Sequence, residues 1–190
     1  MMQWIPPFVG RALASKRAGI EATLFREEAL SSLPCSITIG SHDFVADGPI
    51  PSRHTADGEG TSPALIWSGM PSDAKGMALL VEDADSPTSM PFVHLLAYGA
   101  SYGDGECRTG VLDASTKDLP LKLGRNGMWR RRWMAPDPPR AHGSHRYVFQ
   151  VYGLRQVPRL GTGASRARLA EFIRLHAVAK GAMVGTYERR

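Results

Sequence analysis

Two aspartates at the end of an apolar run are the first residues in this chain whose type and spacing could do chemistry. Asp83 and Asp85 stand two residues apart, directly after the apolar residues 77–81. Carboxylates with this spacing can enter one concavity if the strand breaks there, and they could then bind a cation, share a proton or hold an ammonium group. A solvated surface loop is the simpler interpretation of the same residues.

Histidines mark two further segments. His94 lies inside the apolar run 91–96, where a histidine is more often a core residue than a ligand. Residues 135–147 are rich in proline, and because proline fixes φ and lacks an N–H, they predict a stiff loop that leads into a strand. This loop would place His145, Arg146 and Tyr147 at the start of that strand.

Short strands separated by turns are the elements expected to position these segments. The chain contains 20 Gly and 14 Pro, which favours a turn-rich antiparallel β core over a helix bundle. Large side chains at every second position, as at His145, Tyr147 and Phe149, lie on one face of a strand and are typical of a half-buried strand. The strands predicted from such patterns cover residues 36–40, 44–46, 64–68, 77–81, 93–97 and 147–154.

Helical spacing of apolar residues appears near both ends of the chain. Residues 165–180 predict a helix, with Gly181 as its stop. Residues 8–30 predict a second, basic helix. We expect it to dock on its own domain or on a second copy of the chain in a homodimer, and a membrane surface is the alternative.

Composition limits the class of protein. The 190 residues are 43% hydrophobic and 22% charged, which fits one soluble domain and excludes disordered and fibrous classes. No apolar run reaches the length of about 18 residues that a membrane-spanning helix needs. The N-terminal residues lack the basic and apolar regions of a signal peptide, so we expect a cytoplasmic protein.

The charge is unevenly distributed. Residues 1–123 contain 9 Lys and Arg against 15 Asp and Glu, and residues 124–190 contain 14 against 3. The basic half could face nucleic acid or an anionic membrane, or the two halves could fold onto each other. We favour the second interpretation because the three arginines at 130–132 are the one true basic run, and nucleic acid is therefore not an expected partner.

Cofactor and metal motifs are missing from the sequence. Cys35 and Cys107 have no CxxC or Cys/His ligand spacing, which excludes zinc-finger and thioredoxin-type sites and leaves one disulfide open. There is no GxxxxGK phosphate loop and no GxSxG nucleophile elbow. We therefore expect no cofactor and no bound metal.

Four ordered motifs resemble the phosphatidylethanolamine-binding protein family, and most closely its bacterial Raf-kinase-inhibitor-like branch. The motifs are DGEGTSPALIWSG at 57–69, DADSP at 83–87, the strand histidine His94, and PPRAHGSHRY at 138–147. The resemblance covers residues 36–188 approximately. It implies a mostly β fold, with an antiparallel Greek-key core of two sheets and a C-terminal helix. The corresponding domain is 34–190, and residues 1–33 form an N-terminal helical appendage.

The resemblance also implies a small anion-binding pocket. Its walls would be formed by Asp83, Asp85, His94, Pro138, Pro139, His145 and Tyr147, while Arg146 would pair inward with an acidic residue. Carboxylates beside the two histidines predict raised imidazole pKa values and positive charge near neutral pH. Asp137 departs from the family pattern, and it would repel a phosphate unless it is protonated or paired, for example by the arginines at 130–132.

The leading interpretation is a non-catalytic binding or regulatory protein for phosphorylated small molecules or phospholipid head groups. Kinase or protease inhibition occurs in the family, but this sequence selects no protein target. The alternative is a hydrolase-type enzyme, whose acid-base or metal site would use Asp83, Asp85, Asp137, His94, His142 and His145. A nucleic-acid or membrane adaptor is a third and less favoured interpretation.

Overall fold

Five antiparallel strands form the larger of two sheets in the computed structural model, which describes residues 6–101, 103–114, 121–161 and 163–189. The strand order of this sheet is β6-β4-β3-β7-β8, and the smaller sheet has the order β1-β2-β5. The strands are β1 Thr38–Gly40, β2 Leu65–Ser68, β3 Gly76–Asp83, β4 Phe92–Ala100, β5 Gly105–Cys107, β6 Leu121–Leu123, β7 His145–Leu154 and β8 Ala177–Tyr187. The mostly β class with two antiparallel sheets is confirmed.

Strand β3 lies at the centre of the larger sheet, between β4 and β7, and is buried on both faces. Alternate residues of a strand point to opposite faces, so Leu79 and Val81 pack into the core shared with the smaller sheet. Ala78 and Leu80 pack on the other face with helix α2, Arg166–His176. Burial on both faces explains why β3 is a continuous apolar run in the sequence.

The N-terminal residues differ from the single helix predicted for 8–30. Helix α1 covers only Pro7–Leu13 and is followed by three single 3₁₀ turns, Ile20–Ala22, Leu24–Arg26 and Glu28–Leu30. Gly19 has φ of 94°, a left-handed conformation that a continuous helix over residues 8–30 could not contain. Leu24 and Leu30 are buried against the α2 face of the large sheet. The division of the chain at residue 33 stays a prediction.

The C-terminal helix is shorter than predicted, because the chain enters β8 directly after His176. Gly181 is therefore no helix stop: it pairs with Val151 in the middle of β8. A Cβ atom at this position would lie 1.9 Å from the carbonyl oxygen of Ile37. Glycine is needed here because another backbone passes over the strand.

Other differences are local. The predicted strand at 44–46 is not formed, and the three-residue strands β5 and β6 were not predicted. Cys35 is exposed and Cys107 is buried, and both are free thiols. No helix among the described residues has the length and hydropathy to span a bilayer. Residues 1–5, which enter the signal-peptide expectation, lie outside the described ranges.

Ion pairs join the acidic half of the chain to the basic half, as the favoured interpretation of the charge distribution expects. Arg146 pairs with Asp85, and Arg166 pairs with Glu82. Arg174 contacts Glu27 from helix α2. The positive charge of the second half is thus partly used inside the fold.

Candidate functional site

A cavity of about 260 Å³ lies where the end of β3 meets the starts of β4 and β7 and the proline-rich segment. Six of the eight predicted ligand-binding residues line it: Asp83, His94, Asp137, Pro138, Pro139 and His145. The remaining wall is mostly apolar and is made by Pro87, Phe92, Met128 and Met134, with Ser86 and Thr88 beside them. The structure thus brings together most of the predicted site.

A tight turn at the end of β3 directs Asp83 toward the cavity. The backbone N–H of Asp85 donates to Oδ1 of Asp83 over 2.9 Å, which closes an Asx-type turn. The N–H of Ala84 donates to the carbonyl of Arg146, so the turn is tied to β7. The strand therefore ends with one carboxylate held at the cavity.

Asp83 and His145 form a buried pair. Nδ1 of His145 lies 2.8 Å from Oδ2 of Asp83. On its other side, Nε2 of His145 lies 2.7 Å from Nδ1 of His142. His142 is buried and does not line the cavity.

His94 is oriented by the chain that follows the three arginines. Its Nδ1–H donates to the carbonyl oxygen of Met134 over 2.6 Å. Complete burial lowers the pKa of His94 against the opposing effect of nearby Asp83. The raised pKa expected for His94 is therefore not found, and in the neutral ring the remaining nitrogen, Nε2, accepts a hydrogen bond.

Asp137 faces the cavity, and its partner is Arg189. The two side chains form a buried ion pair, and Nε of Arg189 also donates to Asp57 over 2.8 Å. The expectation that the arginines at 130–132 offset Asp137 is not met, because Arg130 and Arg132 are exposed and line a neighbouring cavity of about 330 Å³.

The other two predicted ligand residues, Asp85 and Tyr147, lie outside the cavity lining. Arg146 binds Asp85 through Nε and Nη2, each over 2.8 Å, so the expected inward pairing of Arg146 is confirmed. Burial opposes ionisation of Asp85, but hydrogen bonds from Arg146 and Arg17 lower its pKa to about 2. Tyr147 is fully buried, with its ring 5.1 Å from that of His94.

Comparison with known proteins identifies the family. The family profile described as Phosphatidylethanolamine-binding protein matches residues 40–188. The chain belongs to this family. A UPF0098 protein of Pyrococcus horikoshii is 32% identical over 167 residues, which cover 86% of this chain and 80% of that protein. A UPF0098 protein of Methanothermobacter thermautotrophicus is 33% identical over 80% of this chain and 99% of its own length.

Solved structures of the family share the fold. A phosphatidylethanolamine-binding protein homologue from Chlamydia trachomatis superposes with a TM-score of 0.73 at 29% identity, covering 82% of this chain and 99% of its own. Escherichia coli YbcL gives a TM-score of 0.74 over 82% of this chain and 99% of its own, and at 22% identity it supports the fold alone.

Two parts of the site lie outside the matched family region. Arg189 follows its last residue, and the N-terminal segment that contacts His142 precedes its first. In the sequence, Arg189 stands in the terminal run Glu-Arg-Arg and resembles a solvated tail. The pair His142 and His145 was noted as an i, i+3 spacing, but this spacing carries no direction in a loop, so no sequence signal pointed to their contact.

The groups considered for an enzymatic site are only partly assembled. Asp83, Asp137, His94 and His145 line the cavity, whereas Asp85 is bound by Arg146, and His142 lies behind His145. Within the described ranges, no three or more His, Cys, Asp or Glu side chains are arranged so that they could hold a metal ion.

Proposed function

We propose that this protein acts by binding, and that its cavity takes a small phosphate-bearing head group with a cationic or hydrogen-bond-donating end, such as phosphoethanolamine. Membership of the phosphatidylethanolamine-binding protein family supports a binding or regulatory protein. The cavity supports a small ligand. Its volume of about 260 Å³ is just below the usual range of about 300–1,000 Å³ for sites of drug-sized ligands.

The observation that carries this proposal is the pairing of each cavity carboxylate with a buried partner. Asp83 is paired with His145, and Asp137 is paired with Arg189. A buried carboxylate persists when it is paired, and the Arg189 guanidinium faces Asp137. The repulsion that Asp137 alone would exert on a phosphate is thereby reduced, and the carboxylates that remain favour a zwitterion over a simple anion.

His94 requires a hydrogen-bond donor from the ligand. Because its Nδ1–H is used by Met134, a ligand can meet only Nε2, which accepts a hydrogen bond in the neutral ring. An ammonium group or the P–OH of a phosphate monoanion supplies such a donor. Phe92, Met128 and Pro139 form a wall that limits water around this contact, which strengthens it electrostatically.

Titration with three probes tests the proposal. Inorganic phosphate, ethanolamine and phosphoethanolamine are added to the full chain while the histidine ring NMR signals are followed. We expect saturable shifts at His94 and His145 with phosphoethanolamine, and weaker or no saturation with either half alone.

Matched variants assign the response to the cavity. Asp83→Asn and His94→Gln should abolish the shifts, whereas His42→Gln, a change at an exposed histidine, should leave them unchanged. If none of the probes saturates the signals at concentrations on the order of 10 mM, or if Asp83→Asn binds as the wild type does, the proposed ligand class is wrong.

A further inference from the structure

The N-terminal segment, residues 7–19, packs on the back of the ligand site. Helix α1 approaches the proline-rich segment so closely that a Cβ atom at Gly10 would lie 1.8 Å from the carbonyl oxygen of Arg140. Arg17 donates to the carbonyl oxygens of His142 and Ser144 over 2.9 and 2.8 Å. The N–H groups of Ala18 and Gly19 donate to the carbonyls of Ser86 and Ala84.

A series of three hydrogen bonds connects this segment to the cavity. Nε2 of His142 lies 2.8 Å from the carbonyl oxygen of Leu13. A carbonyl oxygen only accepts, so the proton of this bond belongs to Nε2 of His142. The series continues through the contact of His142 with His145 and ends at Asp83, with separations of 2.7 and 2.8 Å.

The number of protons that these hydrogen bonds require determines the charges of Asp83, His145 and His142. Three hydrogen bonds need three protons, whereas an ionised carboxylate and two neutral imidazoles together carry only two. Because a carboxylic acid gives up its proton more readily than an imidazolium does, the third proton is placed on one of the two rings, which becomes an imidazolium. Burial and the neighbouring His145 lower the pKa of His142, and His145 is the ring that touches a carboxylate. The charge therefore belongs on His145.

We propose that residues 7–19, together with His142, are positioning elements of the ligand site that hold His145 as an imidazolium against Asp83. His142 is outside the cavity lining and acts through His145. This inference rests on the proposed function in one respect, which is that an unpaired Asp83 would disfavour a phosphate. The other charged or titratable groups around the two histidines and their neighbours are Arg17, Asp85, His94, Asp137, Arg146, Tyr147 and Arg189.

Two kinds of variant in the full chain separate the parts of this arrangement. Gly10→Val displaces helix α1 from Arg140 without altering a residue of the cavity, and Ala12→Val is its control at an exposed position of the same helix. His142→Leu removes the acceptor for His145. His142→Asn restores an acceptor oxygen near the position of Nδ1 and serves as the conservative rescue.

The charge of His145 is read at pH 7 from its ring ¹⁵N shifts, which differ between an imidazolium and a neutral imidazole, and binding is read with phosphoethanolamine as the probe. In Gly10→Val and His142→Leu, we expect the His145 ring shifts to move from the imidazolium pattern toward that of a neutral ring. Phosphoethanolamine affinity should fall about tenfold as well. Ala12→Val and His142→Asn should remain close to the wild type.

Circular dichroism establishes that each variant is folded, and His142→Leu tests the inference if Gly10→Val is not. Unchanged His145 ring ¹⁵N shifts in His142→Leu would overturn the inference, as would tighter phosphoethanolamine binding, which would make His142 a competitor of the ligand. If the ring shifts change as expected but the wild type binds no probe, the role of residues 7–19 is supported and the proposed function is refuted.

Discussion

The buried ion pair of Arg189 and Asp137 can be used to test whether Arg189 offsets the charge of Asp137 at the cavity. Replacing Arg189 by methionine retains an unbranched side chain of similar length and removes the cation. The side chains of Arg189 and Asp137 are only 2% and 5% exposed, so water can replace little of the lost interaction. Asp57, the second partner of Arg189, is one-third exposed and can be resolvated more easily.

The expected effect is large because only one member of a buried pair is removed. Such a change costs about 3–5 kcal/mol, since the Asp137 carboxylate stays buried and loses the guanidinium that faces it. A domain of this size loses roughly 2–4 °C of Tm per kcal/mol, so the melting temperature of Arg189→Met should fall by about 6–20 °C. This loss is a large fraction of the roughly 5–15 kcal/mol that stabilises a typical domain.

Urea unfolding and calorimetry at pH 7 measure the effect on the wild type, Arg189→Met, and the double variant Asp137→Asn with Arg189→Met. The double variant should recover much of the stability, because neither buried charge is left alone. Arg108→Met, which removes an exposed arginine, should change stability by less than about 0.5 kcal/mol. A loss below about 1 kcal/mol in Arg189→Met, or a double variant no more stable than the single one, would refute the reasoning.

Three further changes test the fold and the predicted ligand residues outside the cavity lining. Gly181→Ala should lower the free energy of unfolding by about 1–3 kcal/mol, because the new methyl group meets the Ile37 carbonyl, and urea denaturation measures this. Tyr147→Phe should leave the free energy of unfolding nearly unchanged, since the Tyr147 hydroxyl is buried without a hydrogen bond to the described residues. If this stable variant binds phosphoethanolamine more weakly than the wild type, the hydroxyl contacts the ligand. The pKa of Asp85 is lowered from 3.8 to about 2, so its ionised form stabilises the fold fully above pH 4, and this contribution is lost as the pH falls toward 2. Asp85→Asn should therefore be less stable at pH 7 and lose less stability between pH 4 and pH 2, and identical pH profiles would contradict this.

The parts of the site that could be predicted are those encoded by neighbouring residues. An apolar run followed by Asp83, a histidine within a strand and a proline-rich segment before His145 each form one short pattern, and together they resemble one family. The resemblance to one family, and no single local pattern, implied that the three segments meet. Six of the eight predicted ligand residues line one cavity.

The ends of a strand could likewise be predicted only where neighbouring residues carry the pattern. Strand β7 was predicted almost to its observed ends because its alternation is a property of the strand itself. The first residues of strand β8, 177–180, were included in the predicted helix, because Ala177 and Lys180 carry no strand signal of their own. The conformation of β8 is set by ten pairings with β7, which supply the backbone hydrogen bonds.

From its sequence alone, the protein is determined to be a mostly β domain of a known family with carboxylates and imidazoles at a pocket. Only the tertiary structure decided how those groups are charged. Arg189 reaches Asp137 across 52 positions, and Leu13 meets His142 across 129. Both contacts result from strand register and from the docking of the N-terminal segment, so no local pattern could indicate them. The charge of a buried group depends on the partners that packing brings to it, and its neighbours in the chain do not determine those partners.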